Sequence, residues 1–472
     1  MKKNITSRPQ GKSPVSLMLL LAALLFVACA HAPKQGAPSD DKASWPIALF
    51  EGDYPDPSIL VDGDDYYMTF TTNYWLPSLV IWHSRDLINW EPIGHALDQY
   101  LGTVWAPDFQ KVGDRYYIYF PADGKIYVVW ADDVRGPWSE PVDLHIGAID
   151  PGLIVDAEGN RCLYVNGGRM IRLAPDGLST VGELQAAYNA WPIPDTWEVE
   201  CTCLESPKLT QRDGWYYLTS AEGGTAGPAT SHMAVVHRSR SIEGPWEPCP
   251  QNPVIHTWSA DEPWWSKGHG TLFEDAHGQW WMVYHAYRKG FYTLGRHTLL
   301  SPIEWTADGW PVEAADAQRS LPARSAKHEL MWQTWKGNEE IQTAVVGDTC
   351  YTLRARVSVS NDESEGGLLL SYSKAQFTGL TTDGHVLRLW HQGKLVSEQP
   401  NTWGSTVWMQ LTNDCNTLTI CAGPSARKLE PLGEPLDVSA MHHNNLGSFM
   451  SLRPALKQSG ECVIDKISYT TR

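Results

Sequence analysis

The chain alternates short apolar runs with polar ones and breaks them at Asp, Gly and Asn, the rhythm of strands joined by tight turns. One unit recurs: an acidic or polar start, an apolar strand, a turn, then an aromatic strand. The first copy runs Asp56-Pro57-Ser58-Ile59-Leu60-Val61, turns at Asp62-Gly63, and continues Tyr66-Tyr67-Met68-Thr69-Phe70. The second starts Ala106-Pro107-Asp108-Phe109, turns at Gly113-Asp114 and resumes at Tyr116-Tyr117. The third starts Asp150-Pro151-Gly152-Leu153, and the fourth Glu205-Ser206-Pro207-Lys208-Leu209. The fifth starts Gly268-His269-Gly270-Thr271 and resumes at Trp280-Trp281 after His277-Gly278. From Asp56 to Asp108, Asp150, Glu205 and His269 the steps are 52, 42, 55 and 64 residues.

Antiparallel hairpins repeating at a period near ~45 residues, four strands to a unit, predict a β-propeller. The five copies predict an all-β fold: a five-bladed β-propeller over 45–321, with no long amphipathic helix in that span. Past Leu321 the repeat stops. Short alternating stretches such as Tyr351–Val357 and Thr417–Ile420 predict a C-terminal β-sandwich over 325–472.

The N-terminus has a different pattern. Lys2, Lys3, Arg8 and Lys12 precede an apolar run from Val15 to Ala28. That run of 14 residues is shorter than the ~20 needed to span a bilayer as a helix. It predicts a secretory signal over 1–29. Phe26-Val27-Ala28-Cys29 resembles a lipobox, so Cys29 is expected to carry a lipid anchor; the other reading is a plain signal peptide with an incidental Cys. Residues 30–44 predict a flexible tether rich in Pro, Gly, Ser and charge. The expected location is the cell envelope, lipid-anchored, or outside the cell if the anchor is not used.

Composition narrows the partners. A net charge of −17 argues against nucleic acid, whose phosphates need a basic surface. Twenty-three Trp and nineteen Tyr suit strands, and also suit the apolar faces of sugars. Apart from Cys29, eight Cys are spread over the rest of the chain, as disulfides or as buried thiols; no two pairs lie at zinc-site spacing.

In a propeller the innermost strands begin around one mouth, so residues at equivalent points of the repeats converge. Asp56, Asp108, Asp150, Glu205 and His269 therefore predict a cluster of acids with one His. Crowded carboxylates force their pKa values apart, leaving one protonated and another ionised. Inverting glycoside hydrolysis needs that division: an acid on the leaving oxygen and a base on the attacking water. Taken singly, an Asp before Pro is more often a turn residue. Trp75 is either a sugar-stacking platform or inter-blade packing.

In their order, Asp56-Pro57-Ser58, Trp105-Ala106-Pro107-Asp108, Asp150-Pro151, Glu205-Ser206-Pro207 and Gly268-His269-Gly270 resemble glycoside hydrolase family 43. The resemblance implies a general base at Asp56, a general acid at Glu205, and at Asp150 an acid that tunes and orients the proton donor. It implies that His269 contacts a bound cation, commonly calcium, or its water shell, and that Arg296 contacts the sugar. Asp108 joins Arg296 and Trp75 as a substrate-side expectation. Ser206 departs from the Gly often found there. Leu299 to Pro311 resembles the β-xylosidase and α-L-arabinofuranosidase branch, in which a loop of a C-terminal sandwich sometimes enters the mouth. The expected activity is exo-acting, inverting release of a terminal pentose from plant polysaccharide fragments, with a galactan-directed glycosidase or a glycan-binding propeller without turnover as the alternatives. No organic cofactor is expected.

Overall fold

The structure, a computed structural model, describes residues 45–325 and 330–471. The signal, anchor and tether expectations lie outside the described residues. Among the described residues, helix is limited to a 3-10 turn, Tyr292–Leu294, and a short α-helix, His443–Leu446. No helix there is long and apolar enough to cross a membrane.

The first four repeats each form a sheet whose strands follow chain order. These begin with Ser58–Asp62, Asp108–Val112, Gly152–Val155 and Glu205–Arg212. The fifth sheet begins with Trp264–Glu274 and continues through Trp280–Arg288 and Arg296–Trp305. Its fourth place is filled from the other end of the chain: Ile47–Phe50 pairs antiparallel with Arg296–Trp305. The five first strands lie side by side in chain order, and the fifth also meets the first.

Turn chemistry sets the hairpins. Arg212 pairs with Trp215, leaving a two-residue turn. Asp213 and Gly214 both take positive φ there, 51° and 71°, as a type I′ turn demands. Neighbouring sheets are tied by a recurring side-chain strut. Ser58 Oγ accepts from the Phe109 N–H at 2.9 Å, and Asp108 Oδ2 from the Leu153 N–H at 2.8 Å. Asp150 Oδ2 accepts from the Ser206 N–H at 3.1 Å. Most of the aromatic load packs between strands and sheets. Arg238 lies between Trp215 and Trp310, 4.2 and 3.8 Å from the ring centres, and Arg212 covers Trp305.

The C-terminal residues form two further sheets. One, of six strands, is built around Cys350–Val359, Thr406–Asp414 and Cys462–Thr471. The other, of eight, includes Glu365–Ser371 and Arg453–Ser459 and ends in a strand from far earlier in the chain, Trp75–Leu76. The two sheets share one apolar core, with Leu353, Leu368, Leu380, Met409 and Leu411 fully buried. The sheet system changes between Pro311–Glu313 and Trp332–Trp335, and 75–76 belongs to the later system by pairing. Buried polar contacts join the two. Arg453 Nη2 meets Asp53 Oδ2 at 3.2 Å, the Leu452 N–H donates to Thr293 O, and Tyr287 Oη lies 2.8 Å from His443 Nδ1.

Cys201 and Cys203 form a disulfide, and Cys162, Cys249 and Cys462 are buried free thiols.

Candidate active site

Four site positions share a backbone oddity. Asp56, Asp150, Ser206 and His269 have φ of 58°, 56°, 51° and 58°. Asp and His enter this left-handed region more readily than most residues, yet it costs roughly 1–3 kcal/mol per site where the surroundings impose it. The conformation turns each chain sharply just ahead of or within a first strand. Ser206 shows why Gly suits its position: a positive φ costs Gly little. Around Ser206 the register slips between the pairs Glu205–Ala221 and Lys208–Thr219, a bulge that re-aims Glu205.

These turns bring Asp56, Asp150, Glu205, His269 and Arg296 together on the wall of one cavity of about 230 Å³. Trp105, Ile149, Glu200, Cys203, Gly224, Thr225 and Phe449 complete the lining. Phe449 comes from the C-terminal sheet system, so a loop of that region enters the site, and its ring lies 5.3 Å from the Arg296 guanidinium.

Asp56 is buried and densely held. Arg296 Nη1 is 3.0 Å from Oδ1, His285 Nδ1 is 2.9 Å from the same oxygen, and the Thr71 hydroxyl donates to Oδ2 at 2.5 Å. Burial alone would raise its pKa. Arg296, then His269 and His285, outweigh that and hold the carboxyl well below its usual range. His285 itself is pushed down to about 3 by burial, so it is neutral; its Nδ1 accepts from the Asp56 N–H at 3.3 Å and its Nε2 lies 2.9 Å from Thr225 Oγ1.

Glu205 behaves oppositely. Burial first, then the Asp150 carboxylate, pushes it up to about 8. Glu205, Asp150 and His269 each bring a ligand atom within 4.8 Å of the others. His269 stands between the acids, Nδ1 3.6 Å from Asp56 and Nε2 3.3 Å from Asp150. Burial opposes its charge, but those carboxylates prevail and raise its pKa. Behind it His232, His269 and His285 stack with ring centres 5.2 to 6.2 Å apart. Gly268 permits this, because a Cβ there would lie 2.0 Å from the His232 ring.

The donor set bears on the expected cation. Calcium takes six to eight oxygens. Here the nearest set mixes one or two carboxylates with imidazole nitrogens, and Arg296 already neutralises Asp56. His269 Nδ1 is buried without a hydrogen-bond partner. The residues fit a cation held through its water shell at His269 and not one chelated directly.

Two expectations need correction. Asp108 does not line the cavity. It follows its Pro, whereas Asp56 and Asp150 precede theirs, so it sits on the strand and points between sheets. There it is fully buried, bonded to the Leu153 N–H and paired with Lys208 Nζ at 3.2 Å. Trp75 is 1% exposed and is not a sugar platform. It packs edge-on to Trp335, beneath the Arg453 guanidinium. Trp105 and Phe449 supply the aromatic walls. Trp105 belongs to the Trp105-Ala106-Pro107-Asp108 motif, but nothing local marks Phe449, 393 residues from Asp56.

Residues 46–311 match the model of Glycosyl hydrolases family 43, more than half of the chain. The chain belongs to glycoside hydrolase family 43. Among family members, a xylan 1,3-beta-xylosidase from Vibrio is 32% identical over 56% of this chain and 56% of its own. A non-reducing end alpha-L-arabinofuranosidase from Bacteroides ovatus is 30% identical over 70% of this chain and 65% of its own. The chain therefore spans less than two thirds of the length of either relative. In fold it is similar to the family 43 protein BlXynB from Bacillus licheniformis, at a TM-score of 0.79 and 22% identity, covering 90% of this chain and all of the other. A xylan beta-1,4-xylosidase from Bacillus halodurans gives a TM-score of 0.76 at 23% identity, covering 89% of this chain and 99% of the other.

Proposed function

We propose that this family 43 member is an exo-acting, inverting glycosidase that releases a terminal pentose, with β-D-xylose preferred over α-L-arabinofuranose. The observation that carries the reading is the opposite displacement of two carboxyls in one cavity. Glu205 keeps its proton up to about pH 8, while Asp56 is ionised far below neutrality. That is the division an acid and a base need on opposite sides of one sugar bond.

Glu205 gives its proton to the departing glycosidic oxygen. Asp56 takes a proton from the water that attacks the anomeric carbon. Asp150 disfavours ionisation of Glu205 by charge and fixes the bulge through the Ser206 N–H. Arg296, His285 and Thr71 hold the base in place. A cavity of about 230 Å³ has room for one sugar ring, in keeping with exo action. A water-shelled cation at His269 would add positive charge beside Asp56 and Asp150. Arrangement of the first strands in a ring supports reading 45–321 as a five-bladed propeller, and the two sheets around one core support a sandwich over 325–472. Residues 1–29 are proposed to deliver the chain to the envelope, with Cys29 as the lipid-bearing residue.

The test is proton NMR of the first product from aryl β-xyloside, arabinofuranoside and galactoside. Release of the inverted anomer from the xyloside or arabinofuranoside is expected. Retained configuration, or no release from any of them, overturns the assigned roles.

A further inference from the structure

Among the described residues the tryptophans are buried or partly buried, with one exception. Trp258 is 64% exposed. It stands edge-on to Trp197, with centres 5.7 Å apart at 85°, and edge-on to His256 at 4.8 Å. Trp197 lies flat on His256, centres 4.8 Å apart and planes 7° apart. Among the described residues, neither Trp197 nor Trp258 has a cation over its ring.

The group is rigidly mounted. Glu262 Oε1 accepts from the N–H groups of Trp258 and Ser259 at 2.7 and 3.2 Å, and its other oxygen pairs with Lys267 Nζ at 2.5 Å. His256 Nε2 is 2.8 Å from Thr230 O. The mounting is continuous with the catalytic cavity. Trp197 precedes Glu200 by three residues, and Glu200 lines the cavity. Glu200 Oε2 accepts from the Ala226 N–H at 2.7 Å, and the Glu200 N–H donates to Ser231 Oγ at 2.8 Å. Thus the turn 223–231, which carries cavity residues Gly224 and Thr225, also supports His256.

We propose that Trp258 and Trp197, mounted on the buried His256, form a stacking platform for the leaving-group side of the substrate, a chain of β-linked pyranose units. The proposal rests on the glycosidase reading of the cavity. Each such sugar presents a flat face of C–H groups that suits an aromatic ring, and a fixed ring loses little freedom on binding. The cavity holds the terminal residue, and the platform meets the units that follow.

Two measurements test it. The first is the ratio of kcat/KM on xylotetraose to that on an aryl xyloside, in the wild type, Trp258→Ala and Trp197→Phe. The ratio is expected to fall about tenfold in Trp258→Ala, the worth of one good aromatic contact. The second is calorimetry of xylohexaose with Glu205→Gln and with the Glu205→Gln, Trp258→Ala double variant. Affinity is expected to drop by a similar factor. An unchanged ratio together with unchanged affinity overturns the platform. If the wild type turns over no glycoside, the catalytic reading fails, and the calorimetric comparison still decides the platform.

Discussion

The five-sheet region and the C-terminal sheet pair have similar strands and different interiors. The first gathers buried acids, histidines and an arginine at one end of its opening strands. The second encloses a core of Leu, Val, Ile, Ala, Met and Tyr, and among its described residues only His443 and Arg453 are buried charged or imidazole side chains. Its polar groups of consequence, Arg453 and His443, lie where it meets its neighbour. The difference teaches that chemistry here follows repetition. A position repeated around a ring converges, and one change of side chain per repeat is enough to assemble a site. The unrepeated region acts only through its edge, by placing Phe449 and clamping Asp53.

The sharpest way to break this contrast is to remove one charge from each region. Asp56→Asn is expected to lower kcat by about 10³–10⁴-fold with little change in fold, by circular dichroism and steady-state kinetics. Glu205→Gln is expected to cost about 10²–10⁴-fold on an unactivated disaccharide, and much less on a substrate whose leaving group needs no proton. Arg453→Met strands Asp53 as a buried charge. Denaturant unfolding is expected to register a loss of about 3–5 kcal/mol. A loss under 1 kcal/mol would mean the two regions are not clamped there. Phe449→Ala is expected to raise KM several-fold, more than it lowers kcat, because the residue walls the cavity without touching either carboxyl in the reaction.

The smallest effect concerns stability. Glu205 has its folded pKa raised to about 8. Below about pH 4 both folded and unfolded chains hold the proton, and the site costs nothing. As pH rises the unfolded chain loses its proton first, so the folded state is penalised increasingly up to about pH 8. Glu205→Gln should therefore melt above the wild type at pH 7, with the gap closing toward pH 4. A variant that melts lower at every pH would show that the carboxyl stabilises the fold.

Much of this was legible beforehand because a period survives in sequence. The hairpins carry Asp-Gly turns, and the acids sit beside prolines at recurring points. Asp108 misled because a shift past its Pro changes the side chain's target from the cavity to the neighbouring sheet. In the second repeat Ala106 occupies the place before Pro, so that sheet supplies no acid there. Trp75 could not be assigned because burial in a mixed interface is a property of two distant segments. The same holds for Phe449, for the neutral His285 and for the His232 stack, whose roles depend on neighbours more than fifty residues away.

The central claim is that one cavity holds an ionised Asp56 beside a protonated Glu205. The direct measurement is the pH dependence of kcat/KM on an activated aryl xyloside, for the wild type and Glu205→Gln. The wild type should lose activity as pH rises through about 8, and its acid limb should lie well below pH 4. The variant should lose the alkaline limb and keep the acid one. An alkaline limb that persists unchanged in Glu205→Gln would contradict the account.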